Sequence, residues 1–337
     1  MEIRQLIFFT QEKESERQAL LIEKPHIRQV DTYADQVKDF EKVQSLAGTP
    51  AEAGEGVWVY YPWREVMVHI LPEEAYKIVR LSRNEPLITK DEQKKFAAAT
   101  LGFAGLNVGN PGAVCTAQEG GGARFKLADL DPLDVSNMNR FRASLADLGV
   151  NKATLTARQI HEIDPFVDIE LYEDGIQDDN IARFFDEPKI DVLVEEMDNL
   201  PLKIKIREEA KKRGVPVVMV TGNGAGLIVD IERYDLDPDL PILNGLLPDE
   251  VRQGIEAGPK GMEEFLVLAR DFMDARDELV PRLRDSFSCV GKTLAGIPQI
   301  AEASFLRGAL LAYCIRRIVV HGDLQSGRYN LQLDDIL

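Results

Sequence analysis

Asp129 and Asp131, Asn137 and Asn139, and Arg140 and Lys152 share one segment, LADLDPLDVSNMNRFRASLADLGVNK, which starts at the end of an apolar run. Carboxylates at a strand end can accept hydrogen bonds from ribose hydroxyls, while amide, guanidinium and ammonium groups hold phosphoryl oxygens. A nicotinamide dinucleotide has no need of so many phosphate ligands beside its ribose; a triphosphate does, and the cluster points to ATP. Upstream, the run Leu101 to Ala104 leads into GLNVGN, with Gly105, Asn107 and Gly109. Asn110 is a good N-cap and Pro111 a good first helical residue, so the spacing predicts a helix from Pro111. The amides from Gly109 onward would then face the loop, where the helix dipole attracts phosphate. The pattern is GxNxG and falls short of GxGxxG; a tight turn without ligand is the alternative for the glycines, and a helix or loop cap for Asp129.

The elements that must position these residues follow from the apolar pattern. Runs at 102–106, 125–130, 169–172, 190–194 and 215–220 alternate with helical stretches such as 151–162 and 202–213. That alternation predicts an α/β fold, a Rossmann-like, doubly wound, mostly parallel sheet with an N-terminal accessory unit and a helical C-terminal region. Crossovers in such a sheet are right-handed and ligands bind beyond the carboxyl ends of its strands, where the clustered residues fall.

Three regions are expected: an accessory region, 1–75; a nucleotide-binding domain, 76–240; and a mainly helical region, 241–337, that completes the domain. The first has helical spacing at 32–46 and the aromatic-rich strand text VWVYYPWREVMVHIL, which reads as packing rather than ligand stacking. The last has an amphipathic helix over 261–283 and a more buried one over 303–320. Between them TGNGAG, 221–226, follows a strong strand and reads either as a flexible turn or as the lining of an acceptor channel.

The chain has 337 residues, 45% of them hydrophobic, enough for a large core, and a formal net charge of -17. That acidic field argues against nucleic acid as a partner. Cys115, Cys289 and Cys314 show no CxxC spacing, which speaks against a zinc knuckle or a disulfide framework and for a reducing cytoplasm. An acid at position 2 and a short apolar patch are unlike a secretory signal, and no stretch reaches the roughly 18 residues of a membrane span. The four histidines are too scattered to suggest a metal cluster or a triad.

DLDPLDVSNMNRF, then GVNK at Gly149 to Lys152, then EEMDN at Glu195 to Asn199 resemble the ThiF, MoeB and HesA superfamily, bacterial relatives of the ubiquitin-activating enzymes. The resemblance covers roughly Arg80 to Asp235. It implies ATP- and magnesium-dependent adenylation of a carboxylate on a small carrier protein, a peptide or a metabolite. Asp129 or Asp131 would bind ribose, with Gly105, Asn107, Gly109 and Asn139 in the nucleotide site. Asn137, Arg140 and Lys152 would hold the triphosphate, and Asp198 the magnesium, with a helix cap as its other reading. RLSRN at Arg80 to Asn84 is similar to the family's arginine motif, which makes Arg83 a phosphate contact reaching into the neighbouring protomer of a homodimer. DTYADQVKDF, VWVYYPW and the IPQIAEASFLRGALLAYCIRRIVV and SGRYNLQLDD segments resemble a narrower group in which a ThiF-type domain precedes a nitroreductase-like flavin domain. This chain stops about where that domain would start, so a separate flavoprotein is a possible partner.

The sequence departs from the family pattern at Asn107, where a glycine is usual, and at Phe141, where a glutamine usually follows the arginine. No cysteine lies between Cys115 and Cys289, so adenylation without thioester transfer is expected. Two alternatives stand beside it: a degenerate nucleotide-binding scaffold, and an NAD- or FAD-dependent oxidoreductase.

Overall fold

The computed structural model describes residues 6–336. The acid at position 2 therefore lies outside the described residues. The chain forms two compact units, one ending at Gln93 and the other beginning at Lys94. The expected boundary at 75 falls inside the first unit, and the residues after 240 belong to the second.

The first unit contains β1 (Ile7–Phe9), α1 (Glu14–Glu23), β2 (Arg28–Asp31), α2 (Tyr33–Leu46), β3 (Val57–Tyr61), β4 (Val66–Ile70) and α3 (Glu73–Leu81). Its sheet runs β1-β3-β4-β2, with only the β2–β4 pair parallel. The aromatic text of β3 packs within the unit: Trp58 stacks on His69 at 4.6 Å, and the Arg17 guanidinium lies 4.6 Å over the Trp58 ring. Helix α4 (Lys90–Ala97) runs across the division between the units.

In the second unit the strands are β5 (Thr100–Ala104), β6 (Arg124–Ala128), β7 (Asp168–Tyr172), β8 (Val192–Glu195), β9 (Val217–Asn223), β10 (Gly226–Glu232) and β11 (Gly327–Leu331). The helices are α5 (Leu106–Gln118), α6 (Lys152–Ile163), α7 (Ile181–Asp186), α8 (Leu200–Arg213), α9 (Asp249–Ala257), α10 (Met262–Met273), α11 (Pro281–Ser286) and α12 (Ala301–Arg316). The sheet order is β11-β10-β9-β8-β5-β6-β7, parallel from β9 to β7 and antiparallel at β10 and β11. This is the expected Rossmann-like α/β fold. The chain leaves β5 toward β6 and β7 and returns to β5's other side with β8, so the topological switch point lies between β5 and β8.

Side chains alternate across the parallel strands, as a sheet covered on both faces requires. Phe103, Val192, Val194, Val218 and Val220 meet α5, α6 and α12 through Ala113, Ala117, Ala153, Ala157 and Leu311. Ala104, Leu193 and Val217 meet Phe184, Phe185, Ile206 and Ala210 of α7 and α8 on the other face. Helix α12 lies against α5 because glycines remove the intervening side chains. A Cβ on Gly308 would stand 2.6 Å from Pro111 Cβ, and one on Gly112 would stand 2.7 Å from Leu311 Cδ1.

Two expectations are corrected here. TGNGAG is the end of β9, a two-residue Gly224–Ala225 turn and the start of β10, with Asn223 paired to Gly226. The helix expected over 261–283 stops at Met273: Asp277 takes a positive φ of 56°, and the Asp274 carboxylate accepts the Leu279 amide (2.8 Å) and Arg284 Nε (2.5 Å), holding the break before α11.

Candidate functional site

The carboxyl ends of β5, β6 and β8 lead directly into Gly105, Asp129 and the loop that carries Asp198, on the two sides of the switch point. Gly105 follows β5 with φ +90°, and α5 begins at once with Leu106. The expected start at Pro111 is thus corrected: Asn110 and Pro111 lie inside the helix. The local N-cap signal lost to a tertiary one, because Asp129, at the end of β6, accepts the Leu106 amide on Oδ2 at 2.6 Å. Asn110 instead donates to Thr156 Oγ1 (2.9 Å) and Gln159 Oε1 (2.7 Å), fastening α5 to α6. Gly109 is buried and its amide donates to the Gly105 carbonyl, so it does not face a ligand as expected. Asn107, the second residue of α5, keeps an enclosed Oδ1 that accepts no hydrogen bond among the described residues.

Gly105 is indispensable for a second reason. A Cβ there would stand 2.4 Å from the Glu196 carbonyl carbon and 2.6 Å from the Met197 nitrogen, so the turn after β5 and the loop after β8 touch backbone to backbone. Gly105→Ala is expected to cost at least about 2 kcal/mol, from the left-handed backbone plus the clash, and to weaken ATP binding in parallel. Urea unfolding and calorimetry check this; wild-type values in both would refute the close approach.

Asp129 is 9% exposed. Burial raises its pKa, while the amides of Leu106 and Asp131 act against the rise; the Asp131 amide donates to its Oδ1 at 2.8 Å. Its carbonyl accepts from Asn151 Nδ2 at 2.9 Å, and Asn151 Oδ1 caps α6 by accepting the Ala153 and Thr154 amides. Lys152, the first residue of α6, is buried to 4% exposure with Nζ 3.2 Å from Oδ2 of the exposed Asp131. One linked set of hydrogen bonds thus holds the β5, β6 and α6 contributions together.

Asn137 is buried and serves its own loop: its Oδ1 accepts the Asp134 amide at 3.0 Å, and Asp134 Oδ1 accepts the Ser136 amide at 2.8 Å. Asn139 Nδ2 donates to the Gln299 carbonyl at 2.8 Å and its Oδ1 accepts from Arg140 Nη1 at 2.9 Å. Arg140 Nη1 also donates to the Ser136 carbonyl at 3.0 Å, while its enclosed Nε has no acceptor among the described residues. Burial lowers the Arg140 pKa and Asp198 works in the other direction. Phe141, in place of a glutamine, is buried against Leu133 and Leu155 and anchors the loop hydrophobically.

Asp198 is exposed, in the loop between β8 and α8. Among the described residues no group of three His, Cys, Asp or Glu side chains could hold a metal alone. Arg83 is exposed in the turn after α3 and is described with the first unit. Two buried charged residues that sequence reasoning passed over border the site. Glu196 accepts the Val220 amide at 2.6 Å, and burial pushes its carboxyl up to about 8, with Arg307 and Lys203 opposing. Arg307, on α12, is the other; its signal was an arginine in the otherwise apolar text SFLRGALLAY.

The sheet order and the strand-end site define a Rossmann-like α/β protein. Within it, residues 81–238 match the ThiF family. An uncharacterized protein of Mycobacterium tuberculosis (strain CDC 1551 / Oshkosh) is 35% identical over 316 residues, 93% of this chain and 43% of its own length. The chain therefore spans less than half of that relative. The tRNA threonylcarbamoyladenosine dehydratase of Bacillus subtilis (strain 168) is 27% identical over 186 residues, 52% of this chain and 72% of its own. The Escherichia coli tRNA N6-threonylcarbamoyladenosine dehydratase in complex with AMP superposes with a TM-score of 0.51 at 17% identity, over 73% of this chain and 96% of that one. Escherichia coli MccB with ATP gives a TM-score of 0.51 at 15% identity, over 78% of this chain and 77% of that one. The two likenesses to solved structures show the fold. No helix among the described residues is long and apolar enough to cross a membrane.

Proposed function

We propose that the protein adenylates a carboxylate, on a small carrier protein, a peptide or a metabolite, with ATP and magnesium. The observation that carries this reading is a chain of neighbours at the switch point: Asp129 caps α5 at Leu106 and feels the charge of Lys152, Gly105 touches the backbone of the Glu196–Met197 loop that leads to Asp198, and Asp198 acts on Arg140. Solved structures of the same fold contain AMP or ATP, which supports a nucleotide here.

In this reading the ribose takes the lone pairs that Asp129 has left after its two amide bonds, or those of Asp131. The acceptor carboxylate oxygen attacks the α-phosphorus, the bond to the bridging oxygen breaks, and pyrophosphate leaves, giving an acyl adenylate. Charge grows on the leaving phosphates, and fixed cations stabilise it with little proton transfer by the protein. Arg140 and Lys152 supply those cations. Mg²⁺ held largely by phosphates and water takes one or two carboxylates from a protein, and exposed Asp198 fits that donor set. The metal would neutralise phosphoryl charge. Burial pushes the Cys115 thiol up to about 11, so it holds its proton at neutral pH and supports adenylation without thioester transfer.

ATP–pyrophosphate exchange tests the reading, with size-fractionated extract as the source of acceptor. Exchange stimulated by a fraction supports it; exchange absent with every fraction, together with absent ATP binding in calorimetry, refutes it. A nucleotide-binding scaffold is favoured by one observation, that Asn137 and Lys152 already have protein partners; ATP binding without exchange would select it.

Arg83 would complete the phosphate site of a neighbouring protomer in a homodimer. If so, Arg83→Ala and Arg140→Ala proteins, each inactive alone, should recover up to about a quarter of wild-type exchange after mixing and subunit equilibration, since one site of each mixed dimer is intact. No recovery, with exchange of subunits verified by mass, would place Arg83 outside any shared site.

A further inference from the structure

Arg307 is 3% exposed, and among the described residues nothing accepts a hydrogen bond from its guanidinium; its Nε is wholly enclosed. A buried charge without a partner is costly, and native folds ordinarily pair such groups. The fold makes room for this one. A Cβ on Gly222, near the end of β9, would stand 2.4 Å from Arg307 Nη2, so glycine keeps the space that the guanidinium fills.

The charges acting on Arg307 are those of Glu196, Arg140 and Asp198, and Asp198 acts on Arg140 as well. Glu196 spends an oxygen on the Val220 amide and accepts nothing from Arg307. Helix α12 is tied to the arginine-bearing loop twice: Ser304 Oγ donates to the Arg140 carbonyl at 3.0 Å, and Gln299 accepts from Asn139. Two guanidinium groups, each with an enclosed and unpartnered Nε, are therefore fixed beside the Asp198 loop. Like charges held this way call for an anion with several oxygens, and guanidinium forks match phosphate.

We propose that Arg307 is a phosphate ligand that forms, with Arg140, a two-arginine seat for the β- and γ-phosphates of ATP and for the departing pyrophosphate. This rests on the ATP reading above. Strand order supports the assignment: Asp129 ends β6, and β9 lies three strand spacings away, about 14 Å. A nucleotide with its ribose at Asp129 extends its terminal phosphates toward Arg307. Arg307 lies beyond residue 238, outside the residues that match the ThiF family.

Calorimetry with ATP, inorganic pyrophosphate and AMP, each with magnesium, tests this in Arg307→Met and Arg307→Lys. ATP and pyrophosphate affinity should fall at least tenfold in Arg307→Met and less in Arg307→Lys, with AMP affinity changed less than twofold. Ligand-free melting should not fall in Arg307→Met, because the guanidinium it removes has no hydrogen-bond acceptor among the described residues and burial opposes its charge more than Glu196 and Asp198 favour it. Unchanged ATP and pyrophosphate affinity, equal loss for AMP, or a ligand-free melting point lowered by several degrees in both variants would overturn the proposal. If the wild type binds neither ATP nor pyrophosphate, the ATP reading fails and this one with it; if it binds both and the variants match it, only this one fails.

Discussion

Arg140→Ala is expected to lower ATP–pyrophosphate exchange by about 10² to 10³, the usual loss when one fixed donor to developing charge is removed. Arg140 is suited to that loss because its guanidinium is positioned before any ligand arrives, by the Ser136 carbonyl and Asn139 Oδ1, while its Nε has no acceptor among the described residues. The same geometry predicts that folding is spared. Neither hydrogen bond is buried, and the loop keeps its Asp134–Asn137 capping box and the Phe141 anchor. Melting should stay within about 3 °C of wild type, roughly 1 kcal/mol for a chain of this size. Exchange equal to wild type in a folded Arg140→Ala protein would remove the residue from the phosphate site. A fall in melting as large as that from a core substitution would recast it as structural.

Arg207→Met should cost about 3–5 kcal/mol, the usual penalty for breaking a buried pair from one side. Arg207, Glu195 and Glu232 are all fully buried. Arg207 Nε donates to Glu232 Oε2 at 2.8 Å and Nη1 to Glu195, while Lys203 Nζ reaches both Glu195 oxygens at 3.1 Å. Glu232 also accepts the Tyr234 hydroxyl at 2.5 Å and the Leu243 amide at 2.7 Å. Methionine fills the volume but leaves two enclosed carboxylates with one cation. Urea unfolding should show the loss, and melting should fall roughly 10 °C. Glu195 also accepts the Met197 amide at 2.9 Å, so ATP affinity should fall with stability as the Glu196–Asp198 loop loosens. Wild-type unfolding of Arg207→Met would mean that the network contributes nothing.

The alternation of apolar runs and helical text made the parallel strands and their order of appearance legible, because each run is covered on both faces and carries its own punctuation. The hairpin of β9 and β10 was not, since Gly222, Gly224 and Gly226 read as loop; their reasons are a guanidinium, a tight turn and the close approach of Gln332. Strand β11 was hidden for the opposite reason: Arg328 is a charged residue in a strand interior, acceptable because Asp230 on β10 faces it at 2.7 and 2.9 Å and the Met273 carbonyl accepts from its Nη1 at 3.2 Å. At the site, the residue types were legible and their duties less so. Asn110 and Pro111 imitate a helix start that Asp129 supplies from another strand, and Asn137 caps its own loop. Glu196 and Arg307 belong to segments far apart in the chain, so no local spacing could pair them.

The edge of β10 is covered by β11, and α5 by α12, both supplied by residues 301–331. During synthesis, a nascent chain that has emerged only to about residue 300 has made every parallel strand yet leaves the β10 edge and an apolar helix face open. Such edges template association with other chains. The protein is therefore expected to be most dependent on chaperones, and most sensitive to translational pausing, just before residues 301–331 leave the ribosome.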